Sequence, residues 1–209
     1  NINLDTWNRG YLFKSYLGTD FPYINIGCDL NITKLYHYVK EEGLSLYFSM
    51  IYAATKAADE IENFRYRFEG EQPFLIDHNT AFATHLIRGE ELFTMVECDN
   101  YPSMREFAVK NRAKADIHLP ESGLDQMKGR MDIINFTCIP WVHYTHFVRT
   151  IKKDGVDCNP KMSMGKFIKK DGQVLLPFSS QTHHGLVDGY HVGMFFQRLE
   201  EYLQDEGWK

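Results

Sequence analysis

The chain has 209 residues, 44% of them hydrophobic and 24% charged, the composition of a soluble globular protein with one sizeable core. A formal net charge of −5 gives no basic footprint for nucleic acid, and no apolar run approaches the ~20 residues that span a bilayer. No charged-then-apolar leader opens the sequence, so a cytoplasmic protein with neither nucleic-acid nor membrane partners is expected. Internal repeats, low-complexity tracts and Pro/Gly/Ser linkers are absent from the sequence, which predicts a single domain over residues 1–209.

In chain order, residues 5–17 predict a short amphipathic helix carrying Trp7, Phe13 and Tyr16. Residues 23–32 alternate, with Ile24, Ile26, Cys28, Leu30 and Ile32 on one side, and read as a half-buried strand. Thr33 is placed to cap a helix that stops at Gly43, and Ser45 to cap a longer one to about Asn63. Residues 64–98 read as strands with turns at Glu69-Gly70-Glu71 and Arg88-Gly89-Glu90. Pro102 and Ser103 open a helix to about Ala115, and residues 118–130 read as a polar loop. A strand follows over 131–139, then a hairpin over 161–180 that turns at Lys170-Asp171-Gly172. The last helix covers about 190–205, with Val192, Phe195, Phe196, Leu199 and Leu203 as its apolar stripe. Hairpin-joined strands with helices before, between and after them predict a mixed α+β fold, an α/β protein in the broad sense. The βαβα alternation of a doubly wound sheet and any glycine-rich phosphate loop are missing from the sequence.

Chemistry concentrates in His183-His184-Gly185-Leu186-Val187-Asp188-Gly189-Tyr190-His191, where three of the nine histidines fall within nine residues. A histidine in a tight turn between strand and helix can be held in one orientation while its ring faces a pocket, which a general base requires. His184 and Asp188 therefore read either as a base with an orienting carboxylate or as a polar turn. Asp188 also suits the N-cap of the last helix under both readings. On a strand, Asn135 and Thr137 share a face, and the Thr137 hydroxyl can donate to a developing oxyanion or be an ordinary β-branched strand residue. Arg9 matters only if a buried turn carboxylate needs a cation. His143 and His146 form H-x-x-H without a third ligand, so no metal site is expected. His37, His78, His85 and His118 carry no assigned role. Cys28, Cys98, Cys138 and Cys158 lie far apart with no C-x-x-C pair and read as buried free thiols.

Three motifs in order, W-x-R near the start, N-x-[ST]-x-x-P-W over Asn135 to Trp141 and H-H-x-x-x-D-G-[FY]-H over 183–191, resemble the type A chloramphenicol acetyltransferases along essentially the whole chain. The resemblance implies a large mixed β-sheet flanked by helices, the two-layer fold of CoA-dependent acyltransferases, in a homotrimer with active sites between subunits. It implies acetyl transfer from acetyl-CoA to the primary hydroxyl of chloramphenicol, with no metal. The base then falls on His184, the structural ion pair on Asp188 and Arg9, the oxyanion donor on Thr137 and a water-binding hydroxyl on Ser163. Trp141, Lys166 and Phe167 match positions near CoA; Tyr16, Phe93 and Asn135 match positions near the acceptor. The sequence departs from the family pattern at Gly185-Leu186-Val187, at Pro22 where a cysteine is usual, and at Thr137 where serine is usual. A dihydrolipoyl acyltransferase core and a non-catalytic drug-binding homologue are the competing readings.

Overall fold

Two stretches, the alternating residues 23–31 and the apolar run after Gly172, build the strand pair that carries the rest of the sheet. The computed structural model describes residues 1–87, 89–117, 120–151, 156–206 and 208; the side chains of 120–122 and 124 are outside that description. In chain order the elements are α1 (Gly10–Leu17), β1 (Tyr23–Asn31), α2 (Thr33–Glu41), α3 (Leu46–Asp59), a 3₁₀ turn (Glu62–Arg65), β2 (Tyr66–Glu69), β3 (Gln72–Leu75), β4 (Thr80–Leu86) and β5 (Phe93–Glu97). Then come α4 (Met104–Asp116), α5 (Pro120–Met127), β6 (Ile133–Cys138), β7 (Lys161–Met164), β8 (Ile168–Lys170), β9 (Gln173–His183) and α6 (Gly189–Gln204). The main sheet has the order β1-β9-β7-β6-β4-β5, with β8 also on β9, and β2 and β3 form a separate hairpin. β4, β6 and β7 are parallel, and β1, β9 and β5 pair antiparallel with their neighbours. The expected large mixed sheet with flanking helices is the observed architecture. Among the described residues no helix is long and apolar enough to cross a membrane.

The two faces of this sheet differ in chemistry because strand side chains alternate. One face presents Phe136, Met162, Met164, Leu176 and Phe178, each at most 3% exposed, to the helix layer of α2, α3 and α6. The buried stripe of α6 is the predicted one, Val192, Phe195, Phe196, Leu199 and Leu203. The other face carries a register row of Asn25, Gln181, Lys161 and Asn135, and beside it a row of Gly27, Ser179, Ser163 and Thr137. The middle of this polar face, Gln181, Lys161, Asn135, Ser179 and Ser163, is buried too, because the chain between β6 and β7 crosses it. Gln181 accepts from the Arg149 amide at 2.8 Å and donates back to its carbonyl at 3.3 Å, the Tyr144 hydroxyl donates to the Ser163 carbonyl at 2.6 Å, and Asn25 donates to the Phe147 carbonyl. Such pairing offsets the desolvation of the buried polar row.

Several local expectations change. Residues 120–127 form α5 where a loop was expected, and His118 and Arg88 lie outside the described residues. Gly123 serves a close approach: a Cβ there would lie 1.7 Å from the Met95 carbonyl oxygen on β5. Gly123→Ala is therefore expected to lower unfolding stability by about 1–3 kcal/mol, the range for overpacking; an unchanged denaturation midpoint would show that α5 is not seated on β5. The first helix begins at Gly10, not at residue 5, because residues 3–9 form turns that bring the Leu4 carbonyl against Gly10. Ser45 and Ser103 cap α3 and α4 through the Phe48 and Glu106 amides. Thr33 is the first residue of α2 rather than its cap, and Asn31 accepts from its amide and hydroxyl. The 161–167 strand is split at Gly165, which packs against Pro177 and the Val142 carbonyl.

The inward face of β1 is buried only toward its ends. Ile26 is 38% exposed and Cys28 is exposed, because β1 is an edge strand with a neighbour on one side only. That corrects the expectation of four buried cysteines: Cys98 and Cys158 are buried, Cys138 is partly so, and all four are free. Partial desolvation, with the Glu200 and Asp29 carboxylates nearby, pushes the Cys28 thiol up to about 11, and burial pushes Cys138 up to about 12, which disfavours the thiolate a nucleophile needs. His143 and His146 lie in irregular chain, not on a helix; His143 faces the Lys166 carbonyl at 2.9 Å and Asp29 at 3.4 Å.

Candidate active site

The strand–turn–helix corner after β9 separates the two adjacent histidines. β9 ends at His183, which pairs with Tyr23 of β1. His183 is 2% exposed, its ring set edge-on against Tyr23 and Phe68, and its Nδ1 accepts from the Gly185 amide at 3.1 Å. The Leu186 and Val187 amides both donate to the His183 carbonyl at 3.0 Å, closing the turn. His183 is thus part of the framework. A Cβ at residue 185 would come within 3.0 Å of its ring, which explains glycine there. His184 points the other way, with its side chain 29% exposed and its amide donating to the Pro22 carbonyl at 2.7 Å. Pro22, where the family pattern has cysteine, therefore holds the corner through its backbone.

Asp188 is the N-cap of α6, and its amide donates to His191 Nδ1 at 3.1 Å. Its carboxylate receives both ends of the Arg9 guanidinium, Nη1 to Oδ2 at 2.5 Å and Nη2 to Oδ1 at 2.9 Å. The same guanidinium donates to the His184 carbonyl at 3.2 Å and the Gly185 carbonyl at 3.4 Å. The fork geometry of arginine makes this bidentate pair directional as well as attractive. The Arg9 hydrogen bonds hold the Asp188 carboxyl below its ordinary range, and burial lowers His191, so that its Nδ1 stays an acceptor. His184 Nδ1 sits 3.2 Å from Asp188 Oδ1 without hydrogen-bond alignment and is buried, so the exposed part of the ring is its remainder. Tyr16 of α1 stacks on this imidazole with centroids 4.4 Å apart and planes 22° from parallel. Arg9, Tyr16, His184 and Asp188 thus form one cluster.

Thr137 and Ser163 form a second cluster, as register partners on the parallel strands β6 and β7. Ser163 is 1% exposed, and among the described residues its hydroxyl has no hydrogen-bond partner; nor, one row away, has Asn135 Oδ1. The two clusters do not meet within one chain. Ser163 pairs with Ser179, which lies five residues before His184, a span of ~17 Å at the rise of a strand. At the C-terminal ends of β6 and β7, Lys166 and Phe167 join Tyr47, Cys138 and Pro140 around a mostly apolar cavity of about 360 Å³. Trp141, next to Pro140, is 66% exposed. At the opposite ends of the same strands, Asn135 lines a cavity of about 700 Å³. Phe93, 56% exposed, stands on the Thr137 face beyond Met95 and Thr84. The sequence reading passed over Arg149, Asp157 and Lys161, which line that second cavity. The available signal was a lysine on the same face as Ser163 in the otherwise apolar run Lys161-Met162-Ser163-Met164.

Comparison with known proteins bears on the family and the fold. The family model described as chloramphenicol acetyltransferase matches residues 1–200. A chloramphenicol acetyltransferase of Clostridium perfringens is 28% identical, over 99% of this chain and 96% of its own length. A solved chloramphenicol acetyltransferase superposes with a TM-score of 0.88 at 22% identity, covering 97% of this chain and 98% of its own. A probable dihydrolipoamide acetyltransferase from Listeria monocytogenes has the same fold at a TM-score of 0.69 and 12% identity, covering 98% and 95%. The chain belongs to the chloramphenicol acetyltransferase family and is an acetyltransferase.

Proposed function

We propose that the protein transfers the acetyl group of acetyl-CoA to the primary hydroxyl of chloramphenicol in a ternary complex, with His184 as general base. The observation that carries this reading is the imidazole of His184, clamped between Tyr16 and the Arg9–Asp188 pair with one edge open. With Nδ1 buried, Nε2 is the nitrogen that exchanges protons. It takes the proton of the primary hydroxyl; that oxygen attacks the thioester carbonyl; the Thr137 hydroxyl donates to the oxyanion. Collapse breaks the carbon–sulfur bond, and the imidazolium protonates the departing CoA thiolate. Ser163 holds a water through its free hydroxyl. The pantetheine arm lies along the apolar cavity of Lys166 and Phe167, near Trp141, and the acceptor enters from the Asn135 end, past Phe93.

The ~17 Å between His184 and the Ser163–Thr137 row along β9 supports a homotrimer in which His184 and Tyr16 of one subunit face Thr137 and Ser163 of the next. A monomer by light scattering that still turns over would sink that arrangement. The functional test is CoA release from acetyl-CoA with and without chloramphenicol: release should require the drug. Release only with a dithiol acceptor would move the protein toward the dihydrolipoyl enzymes, and drug binding without release would make it a binding homologue. Thr137→Ala is expected to lower kcat by about 10²–10³-fold with little change in KM, the cost of an oxyanion donor. Equal losses for oxyanion analogue and ground-state binding would remove Thr137 from that role.

A further inference from the structure

The cavity at the Asn135 end of β6 and β7 has a cationic inner wall. Arg149 lies on it, and among the described residues its guanidinium meets no carboxylate; Nη1 donates to the carbonyls of Asn135 at 3.5 Å and Met162 at 3.3 Å. Lys161, with its side chain 9% exposed, places Nζ 2.5 Å from Asp157 Oδ2. A buried Lys161 and a partly buried Arg149 thus face one cavity, and the Asp157 carboxylate pairs with Lys161 alone. The amide of Asn135, 6% exposed, faces the same space with an oxygen that has no partner among the described residues. Lys161 and Asn135 are register partners on the face that carries Thr137 and Ser163, one pleat repeat (~7 Å) away. A cation taken out of water needs a counter-charge or strong acceptors, and burial pushes both Arg149 and Lys161 down from their ordinary values. Chloramphenicol is uncharged and offers this wall no anion.

We propose that the acceptor recess selects an acceptor bearing a carboxylate, which seats on Arg149 and Lys161 and so directs its hydroxyl toward Thr137. A monoanion fits better than a phosphate, because Asp157 already balances one of the two cations. The planar guanidinium also matches a carboxylate edge. This rests on the acetyl-transfer reading, deepening it from a family substrate to a substrate class.

The test uses two acceptors that share the reacting hydroxyl: chloramphenicol, and its N-succinyl analogue, in which a carboxylate-bearing succinyl group replaces dichloroacetyl. Binding to the intact protein is followed by calorimetry, and CoA release is measured separately. The N-succinyl compound should bind about tenfold tighter or better, the scale of one charge-assisted hydrogen bond, and its advantage should shrink with added salt. Arg149→Gln, which keeps a donor for the two carbonyls, should weaken binding of the N-succinyl compound more than binding of chloramphenicol and so erase the preference. Tighter binding of the anion without CoA release from either compound would uphold the recess and sink the acetyl-transfer reading. Equal or tighter binding of chloramphenicol by the wild-type protein, or no binding of either compound, would overturn the proposal, and neither result depends on how the variant folds.

Discussion

Replacing His184 with alanine is expected to lower acetyl transfer by about 10²–10⁴-fold, the contribution of a positioned general base, and to leave the unfolding midpoint nearly unchanged. Among the described residues the side chain makes no aligned hydrogen bond inward, and the corner is held by backbone groups: the His184 amide on Pro22 and its carbonyl under Arg9. The loss should fall on kcat, with acceptor binding reduced only by the missing ring. A folded His184→Ala protein that retains substantial drug-dependent CoA release would end the assignment of the base. His183→Ala should show the reverse pattern, because that ring is buried against Tyr23 and Phe68.

Arg9→Ala is expected to damage both stability and turnover. The guanidinium donates to the Asp188 carboxylate and to two carbonyls of the turn, so its removal leaves a partly buried carboxylate without a counter-charge. Losing charge-assisted bonds of this kind costs about 1.5–3 kcal/mol, measurable by urea unfolding. Turnover should fall further than stability explains, since a base displaced by an ångström can lose about 10²-fold. Acid provides a separate check. The folded pKa of Asp188 is depressed by Arg9, so the stabilisation is complete above the ordinary carboxylate range and is lost as pH falls through the lower folded value. The stability gap between wild type and Arg9→Ala should therefore be full at neutral pH and close below about pH 4. A gap that persists unchanged in acid would show that the effect of Arg9 is packing, not the ion pair. His191 is also depressed in the fold, so its contribution is complete above about pH 6.5 and declines beneath it. The two groups thus act in separate windows.

The parts of the fold that could be read from sequence are those where local chemistry and tertiary packing agree. The stripe of α6 and the Ser45 and Ser103 caps depend on residues close in sequence, and they stand as expected. α5 was hidden because its glycine answers to the β5 backbone, a partner some thirty positions earlier that no local pattern reveals. The middle of β1 misled for a related reason: alternation shows which side chains share a face, not whether anything covers it. At the site, the histidine motif was legible from the residues, and the dependence of Asp188 on Arg9 only through the family resemblance that the three motifs carry. The inward role of His183 was not, because it depends on Tyr23 and Phe68. Lys161 and Arg149 were missed because they belong to segments far apart in sequence that meet only across the polar face of the sheet.

The Arg9–Asp188 pair joins positions 179 residues apart, and β1 pairs along its whole length with β9. Both contacts close loops of well over half the chain, and such closures are slow because their entropy is lost before their contacts form. On the ribosome, β1 emerges early and has no partner in the main sheet until β9 has been made, so it must wait as an unpaired edge. His184 is oriented only after α6 supplies Asp188 with its helix. The clamp on the His184 ring therefore arrives in one late step, and a nascent chain halted before α6 would carry most of the sheet without it.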